Sequence, residues 1–254
     1  LEGSWRIAVI LTESDTDERI RRQVDEVLRR FRAAAPSLEV TNVDPSDPAS
    51  LAAYEGLLAR LQAMEQWAIE AYESRLDAAA AVFDEALLYA ERISADLQAL
   101  LSMLPVDDPR REPLVARGGF MTALARDGGQ VTAEVTAARQ PGDEVPLPRY
   151  DVARSILREA CSQTADEVQA IGDALDEIGR SATVETRVRI YAREESPVAR
   201  SLATRLLVAG EALVDLPELQ SARVAEQLSV GEAAVVMGPD GAAVIPSEQL
   251  LPRV

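Results

Sequence analysis

The sequence predicts an α/β chain whose small sheet is built from both chain ends and is interrupted by a long, mainly helical insertion. Three observations carry that prediction. Short apolar, β-branched runs sit near the two ends, at residues 6–11 (RIAVIL), 38–43, 233–237 and 242–245. Residues 49–104 contain no proline and a single glycine, Gly56, and are dominated by Ala, Leu, Glu and Arg. The chain has 254 residues, 47% of them hydrophobic, enough to bury a core in each of two parts. Those parts are expected to be an α/β domain from residues 1–48 and 228–254, and a helical insertion from 49–227.

In chain order, RIAVIL reads as a strand buried on both faces. The polar cluster TESDTDE at 12–18 follows, with Asp15 and Glu18 at capping-box-like spacing, so a helix is expected to open there. Ile20, Val24, Val27, Leu28 and Phe31 fall on one face of it. Arg19, Arg21, Arg22, Arg29, Arg30 and Arg32 ring the rest, and the later ones suit the negative helix end. Pro36 ends the helix, and Leu38, Val40 and Val43 form a second strand, parallel to the first if the crossover is right-handed. The segment DPSDP at 44–48 stops that strand and opens the next element.

Residues 49–104 predict one long helix or two. Leu76, Phe83, Ala90, Leu97 and Leu104 hold one heptad position, with Ala80, Leu87 and Leu101 as a companion seam broken by Ser94. A partner stripe lies at 150–178, where Leu157, Cys161, Thr164, Val168, Ile171, Leu175 and Ile178 follow steps of three and four. An antiparallel coiled-coil hairpin or a small bundle is expected. The joining segment, 105–149, reads as a loop rich in Pro and Gly. Within it FMTALARDGGQVTAEVT, 120–136, suggests a hairpin about Asp127-Gly128-Gly129, although its first run fits a helix equally well. PGDEVPLP, 141–148, reads as an extended connector. Residues 183–191 fit strand and helix alike. Ser196-Pro197 then reads as an N-cap and first-turn pair opening a helix through Leu202, Leu206 and Leu213, with a short helix about 217–228 after it. Finally, Gly238-Pro239-Asp240-Gly241 between two apolar runs predicts a β-hairpin, followed by a terminal helical turn containing Leu250 and Leu251.

Strand, helix, strand, a long gap, hairpin and short helix make a thioredoxin-like order. The residues also resemble a known family, the soluble region of gliding-motility-associated auxiliary components of ABC transporters. The likeness rests on RIAVILTES leading into RRQVDEVLRRFRAAAPSLEVTNVDPSDP, and on the closing GEAAVVMGPDGAAVIPSEQLL. It covers about a third of the chain; the segment between would be a helical insertion into that unit. The resemblance implies a non-catalytic, extracytoplasmic interaction domain, membrane-tethered through segments outside this chain and working with transporter permease and ATPase subunits. The alternative is a cytoplasmic coiled-coil scaffold with a small α/β cap.

Composition narrows the chemistry independently. There is no histidine, and every one of the 26 basic residues is arginine. Histidine general bases, Schiff-base lysines, the P-loop lysine and His-based zinc sites are therefore excluded. The net charge of -17 disfavours nucleic acid. The loop entering the first helix, Ser14-Asp15-Thr16-Asp17, has no cysteine, so thiol redox chemistry of the thioredoxin kind is excluded there, and Cys161 reads as a buried apolar residue. Glu13, Asp15, Asp17 and Glu18 form the most chemical-looking cluster, at the C-terminal edge of the first strand, where a hard cation such as calcium would fit; helix capping and a solvated acidic turn is the plainer reading. Asp44 and Asp47 lie on the neighbouring loop. Arg110, Arg111, Arg187, Arg189 and Arg193 would grip an acidic partner or lipid headgroups, or pair internally, and Trp67, Tyr72 and Tyr89 would form a contact surface or pack inside. No catalytic residue and no cofactor is expected.

Overall fold

The computed structural model describes residues 5–11, 18–35, 38–44, 47–141, 147–224, 233–239 and 241–246. Helix makes up 75% of it, with one four-stranded mixed sheet drawn from both ends. Strand β1 (Trp5–Ile10) leads to helix α1 (Glu18–Ala34), strand β2 (Leu38–Val43) and helix α2 (Pro48–Met64). Helices α3 (Gln66–Met103), α4 (Arg111–Ala138), α5 (Tyr150–Arg180) and α6 (Thr186–Val214) follow, then β3 (Ala233–Gly238) and β4 (Gly241–Pro246). The chain divides into two compact units: Leu1–Glu70 with Gln140–Asp151 and Pro217–Val254, and Ala71–Arg139 with Val152–Leu216.

In the first unit the sheet order is β2-β1-β3-β4. β1 runs parallel to β2, with Ile7 beside Val40, and antiparallel to β3, with Ala8 beside Val235. The four end-strands expected from sequence thus join one sheet. Side chains alternate across it. Ala8, Ile10, Val43, Val235 and Met237 pack with Tyr54, Leu57, Leu58 and Leu61 of α2. On the other face Val9, Leu11, Leu38, Val40 and Ala234 pack with Val24 and Leu28 of α1. This is why RIAVIL carries no polar alternation. Two positions expected on the buried face of α1, Val27 and Phe31, are exposed, and the side chain of Ile20 lies outside the described residues. Helix α2, read from sequence as part of the insertion, belongs to the sheet unit because its apolar face is the cover for one side of the sheet. At the hairpin, Gly241 has φ +153, a conformation side chains rarely adopt, and an added Cβ there would lie 2.8 Å from the Gln220 amide.

Residues 49–104 form two helices, parted at Glu65. The Glu65 carboxylate accepts the Ser221 backbone N–H at 2.8 Å, and that of Gln220, so the residue that ends α2 caps the helical segment 220–224.

The second unit is an up-down-up-down bundle. α3 spans 38 residues, about 57 Å at 1.5 Å per residue. It lies antiparallel to α4: Arg139 pairs with Asp77 at 2.6 Å, Gly128 sits on Leu87, Gly118 on Leu97, and Arg111 donates to the Leu104 carbonyl at 2.9 Å. It is also antiparallel to α6, through Arg75 to the Ala212 carbonyl (2.7 Å) and Arg92 to Glu195. α5 and α6 are antiparallel in turn, with Ser196 Oγ donating to the Gly172 carbonyl (2.8 Å) and Arg193 to that of Gly179 (2.8 Å). Hence α3 and α5 run parallel. The antiparallel hairpin of 49–104 with 150–178 does not form, because the segment between them is itself a helix and reverses the chain once more.

The expected loop and hairpin over 105–149 is therefore corrected to helix α4 across 111–138. Leu114, Met121, Gly128 and Val135 are buried at seven-residue steps, a heptad whose third member is glycine. Gly128 serves close approach instead of a turn: a Cβ there would fall 2.4 Å from Leu87 Cδ2. The stripe of Leu76, Phe83, Ala90, Leu97 and Leu104 is buried as expected, as is every stripe position named on α5. The companion seam moves by one residue, to Tyr72, Ala79, Ala86, Ile93 and Leu100; Ala80, Leu87 and Leu101 are half-buried, and Leu87 turns toward α4. Ser196-Pro197 lies inside α6 and does not start it, since the Ser196 hydroxyl is taken by α5 and the helix already begins at Thr186, which also settles 183–191 as a turn and helix. Of the short helix expected about 217–228, residues 220–224 are helical and 225–228 lie outside the described residues, as do the connector within 142–146 and the terminal turn at Leu250 and Leu251.

Two adjacent glycines distinguish helix from hairpin. An added methyl at Gly129 meets nothing within 4 Å, whereas Gly128 is filled by Leu87. Gly129→Ala should therefore raise stability by about 0.5–1 kcal/mol and Gly128→Ala lower it by about 1 kcal/mol or more, measured by urea unfolding. Loss of stability in both variants would mean that the pair forms a turn.

Candidate interaction face

Of the acidic cluster, Glu13, Asp15 and Asp17 lie outside the described residues. Glu18 is the first residue of α1, exposed, and ion-paired with Arg22 one turn on, a helix-start role. Among the described residues no group of three or more carboxylate or thiol side chains is placed to hold a metal ion. Asp47 caps α2, accepting the Ala49 N–H at 3.0 Å.

Of the arginines singled out in the sequence, Arg110, Arg111, Arg189 and Arg193 bond within the chain. Arg110 pairs with Asp108, whose carboxyl it holds below the usual range by hydrogen bonding, and Arg111 takes the last carbonyls of α3. Arg193 caps α5 at the Gly179 carbonyl, and Arg189 reaches the Thr186 hydroxyl at 3.0 Å. Arg187 lines a cleft and makes no ion pair among the described residues. Tyr72 and Tyr89 are buried, while Trp67 is 69% exposed. Cys161 is buried against the close crossing of α5 and α6 at Gly210, and burial raises its thiol to about 11, so it is an unreactive core residue.

The feature that sequence reasoning missed lies between α3 and α6. Arg92 grips Glu195 with both guanidinium nitrogens, at 2.8 and 2.6 Å, and stands 3.6 Å from Asp96. Tyr191 donates to Asp96 at 2.9 Å, and the guanidinium lies 5.2 Å from the centre of the Tyr89 ring. Burial, then the surrounding carboxylates, push both tyrosine hydroxyls well above their ordinary range; the Glu195 hydrogen bond holds Arg92 protonated. One signal was available. Glu195 occupies a core position in the α6 series Val188, Ala192, Glu195, Ala199 and Leu202, where a lone charge requires a partner.

This crosspiece divides a groove. On one side a cleft of about 170 Å³ is walled by Ala99, Leu100, Met103, Val188 and Tyr191, with Arg187 at its rim. On the other a shallower cleft of about 650 Å³ is lined by Leu88, Tyr89, Pro197, Val198 and Leu202, with the Glu85–Arg205 ion pair at its end. Leu88 is 67% exposed, Val198 47% and Met103 47%. Apolar side chains in water beside concave walls, with both signs of charge fixed around them, suit protein contact better than enclosure of a small substrate.

Comparison of the chain with protein-family models, with curated proteins and with solved structures finds no match.

The two partners of the crosspiece differ in exposure, the Glu195 side chain at 10% and that of Arg92 at 47%. Arg92→Ala leaves a buried carboxylate uncompensated and should cost about 3 kcal/mol, whereas Glu195→Ala frees an arginine that reaches water and should cost roughly half as much. Equal losses in chemical unfolding would show that the pair is not buried as described.

Proposed function

We propose that this chain is a non-catalytic interaction domain of an ABC-type transport auxiliary component of the gliding-motility-associated kind, and that it engages its partner through the α3–α6 face. The observation that carries the contact reading is the groove itself, with Leu88, Val198 and Met103 exposed around a rigid Arg92–Glu195 crosspiece. A surface so built is ordered before binding, which lowers the entropy lost on association. The family reading is supported by the opening and closing segments, which resemble that family, and by the strand order β2-β1-β3-β4 with a closing hairpin, the arrangement a thioredoxin-like unit requires. The helical bundle is then an insertion between its second and third strands. The absence of histidine, lysine and a cysteine pair supports binding over turnover.

In this reading the domain is extracytoplasmic and its tether lies outside the chain; no helix among the described residues is long and apolar enough to cross a membrane. The permease and ATPase subunits are the proposed partners. Tagged full-length protein, crosslinked in membranes and purified, should bring down both. Leu88→Asp combined with Val198→Asp, two changes at exposed positions, should reduce that recovery about tenfold or more without shifting the melting temperature. Recovery unchanged by the double variant would remove the groove from the account, and wild-type protein that recovers neither subunit would remove the transporter.

A further inference from the structure

A second pocket lies wholly within the sheet unit, where β1 and β2 begin and β3 ends. It has a volume of about 580 Å³ and is lined by Trp5, Arg6 and Glu39, by Arg60, Ala63 and Met64 of the last turns of α2, and by Met237 and Gly238. Its apolar wall is an indole with two thioethers, flat and adaptable surfaces that accept alkyl or aromatic groups of varied shape. The indole is held in place by the absence of a side chain: a Cβ on Gly238 would lie 2.7 Å from Trp5 Cζ3 and 2.8 Å from Cη2. Met237 is buried, whereas Met64 is 38% exposed.

The charges are uneven. Arg6 is ion-paired with Glu39 across the parallel strands, and this pair is neutral overall. Arg60 makes no ion pair or hydrogen bond among the described residues, so the lining carries a net positive charge in a chain of net charge -17. An arginine fork without a carboxylate, beside an apolar wall of ligand size, is suited to an anion with an apolar body.

We propose that this pocket binds a small apolar carboxylate, its alkyl or aromatic part against Trp5, Met64 and Met237 and its carboxylate on Arg60. Two sources share that chemistry, a medium-chain fatty acid and a peptide C-terminus ending in an aliphatic residue.

The chain has two tryptophans, and Trp67, exposed on α3, is replaceable without touching the pocket. In the 254-residue chain carrying Trp67→Phe, Trp5 is the tryptophan that remains, and its emission reports the pocket. Titration with decanoate below its micelle-forming concentration, or with N-acetyl-glycyl-leucine, should shift that emission saturably, and whichever of the two acts at lower concentration identifies the source. Decanol and the peptide amide, which lack the carboxylate, should bind about tenfold more weakly or worse. Arg60→Ala, a surface change, should weaken the carboxylates by a similar factor and leave the uncharged comparators unaffected. Gly238→Ala should displace the indole and remove the response to all four. The proposal is overturned if neither carboxylate gives a saturable shift, or if Arg60→Ala leaves their affinity unchanged.

Discussion

The pairing of β1 governs this architecture. On one edge it binds β2, reached through a short crossover helix; on the other it binds β3, which lies near the far end of the chain. Both ladders are needed, because β1 is buried on both faces and would otherwise leave unpaired backbone groups in the core. Between β2 and β3 the chain therefore leaves the sheet unit after Glu70 and must come back to it, as it does at Gln140–Asp151 and again from Pro217. A path made of long helices does so when their number is even, and α3 to α6 supply four. The ends of that path meet within the bundle, where Arg75 near the start of α3 bonds the Ala212 carbonyl near the end of α6, and Arg154 at the start of α5 reaches both Tyr72 and the Leu216 carbonyl.

That evenness explains which parts of the fold were legible in the sequence. The four strands were readable because each is a short β-branched run bounded by turn residues, and the two long stripes on α3 and α5 because leucines and alanines repeat without interruption. Helix α4 was obscured by Gly128-Gly129, which mimic a turn although Gly128 is where Leu87 enters and Gly129 is a solvent-facing passenger. Leu114, Met121 and Val135 carried the correct period around it. With α4 unrecognised, the count of long helices fell to an odd number, which left an antiparallel hairpin of α3 with α5 as an alternative to the small bundle that forms. Ser196-Pro197 misled in the same way: residues that commonly begin helices were used in the middle of one, the hydroxyl spent on a carbonyl of α5.

The interaction face was less legible than the fold, for a different reason. Hydrophobic periodicity identifies what is buried, and Leu88 and Val198 are functional candidates because they are not. Arg92, Asp96, Tyr191 and Glu195 come from segments far apart in sequence and meet only when α3 and α6 are antiparallel. Their mutual charges fix the spacing of two helices whose outer sides remain open, so the groove has a defined width before anything enters it. The acidic turn that drew attention in the sequence contributes, at Glu18, an ordinary ion pair at a helix start.

Methionine side chains provide the most direct measurement. Met103 lies half-exposed in the groove, and Met121 is buried in α4. Hydroxyl-radical footprinting of the full-length protein, free and in its membrane assembly, reads both together with Leu88 and with Val115, exposed on α4. The account predicts that Met103 and Leu88 lose most of their reactivity on assembly while Val115 keeps its own and Met121 stays unreactive throughout. Undiminished oxidation of Met103 and Leu88 in the assembly, with protection at Val115 instead, would contradict it.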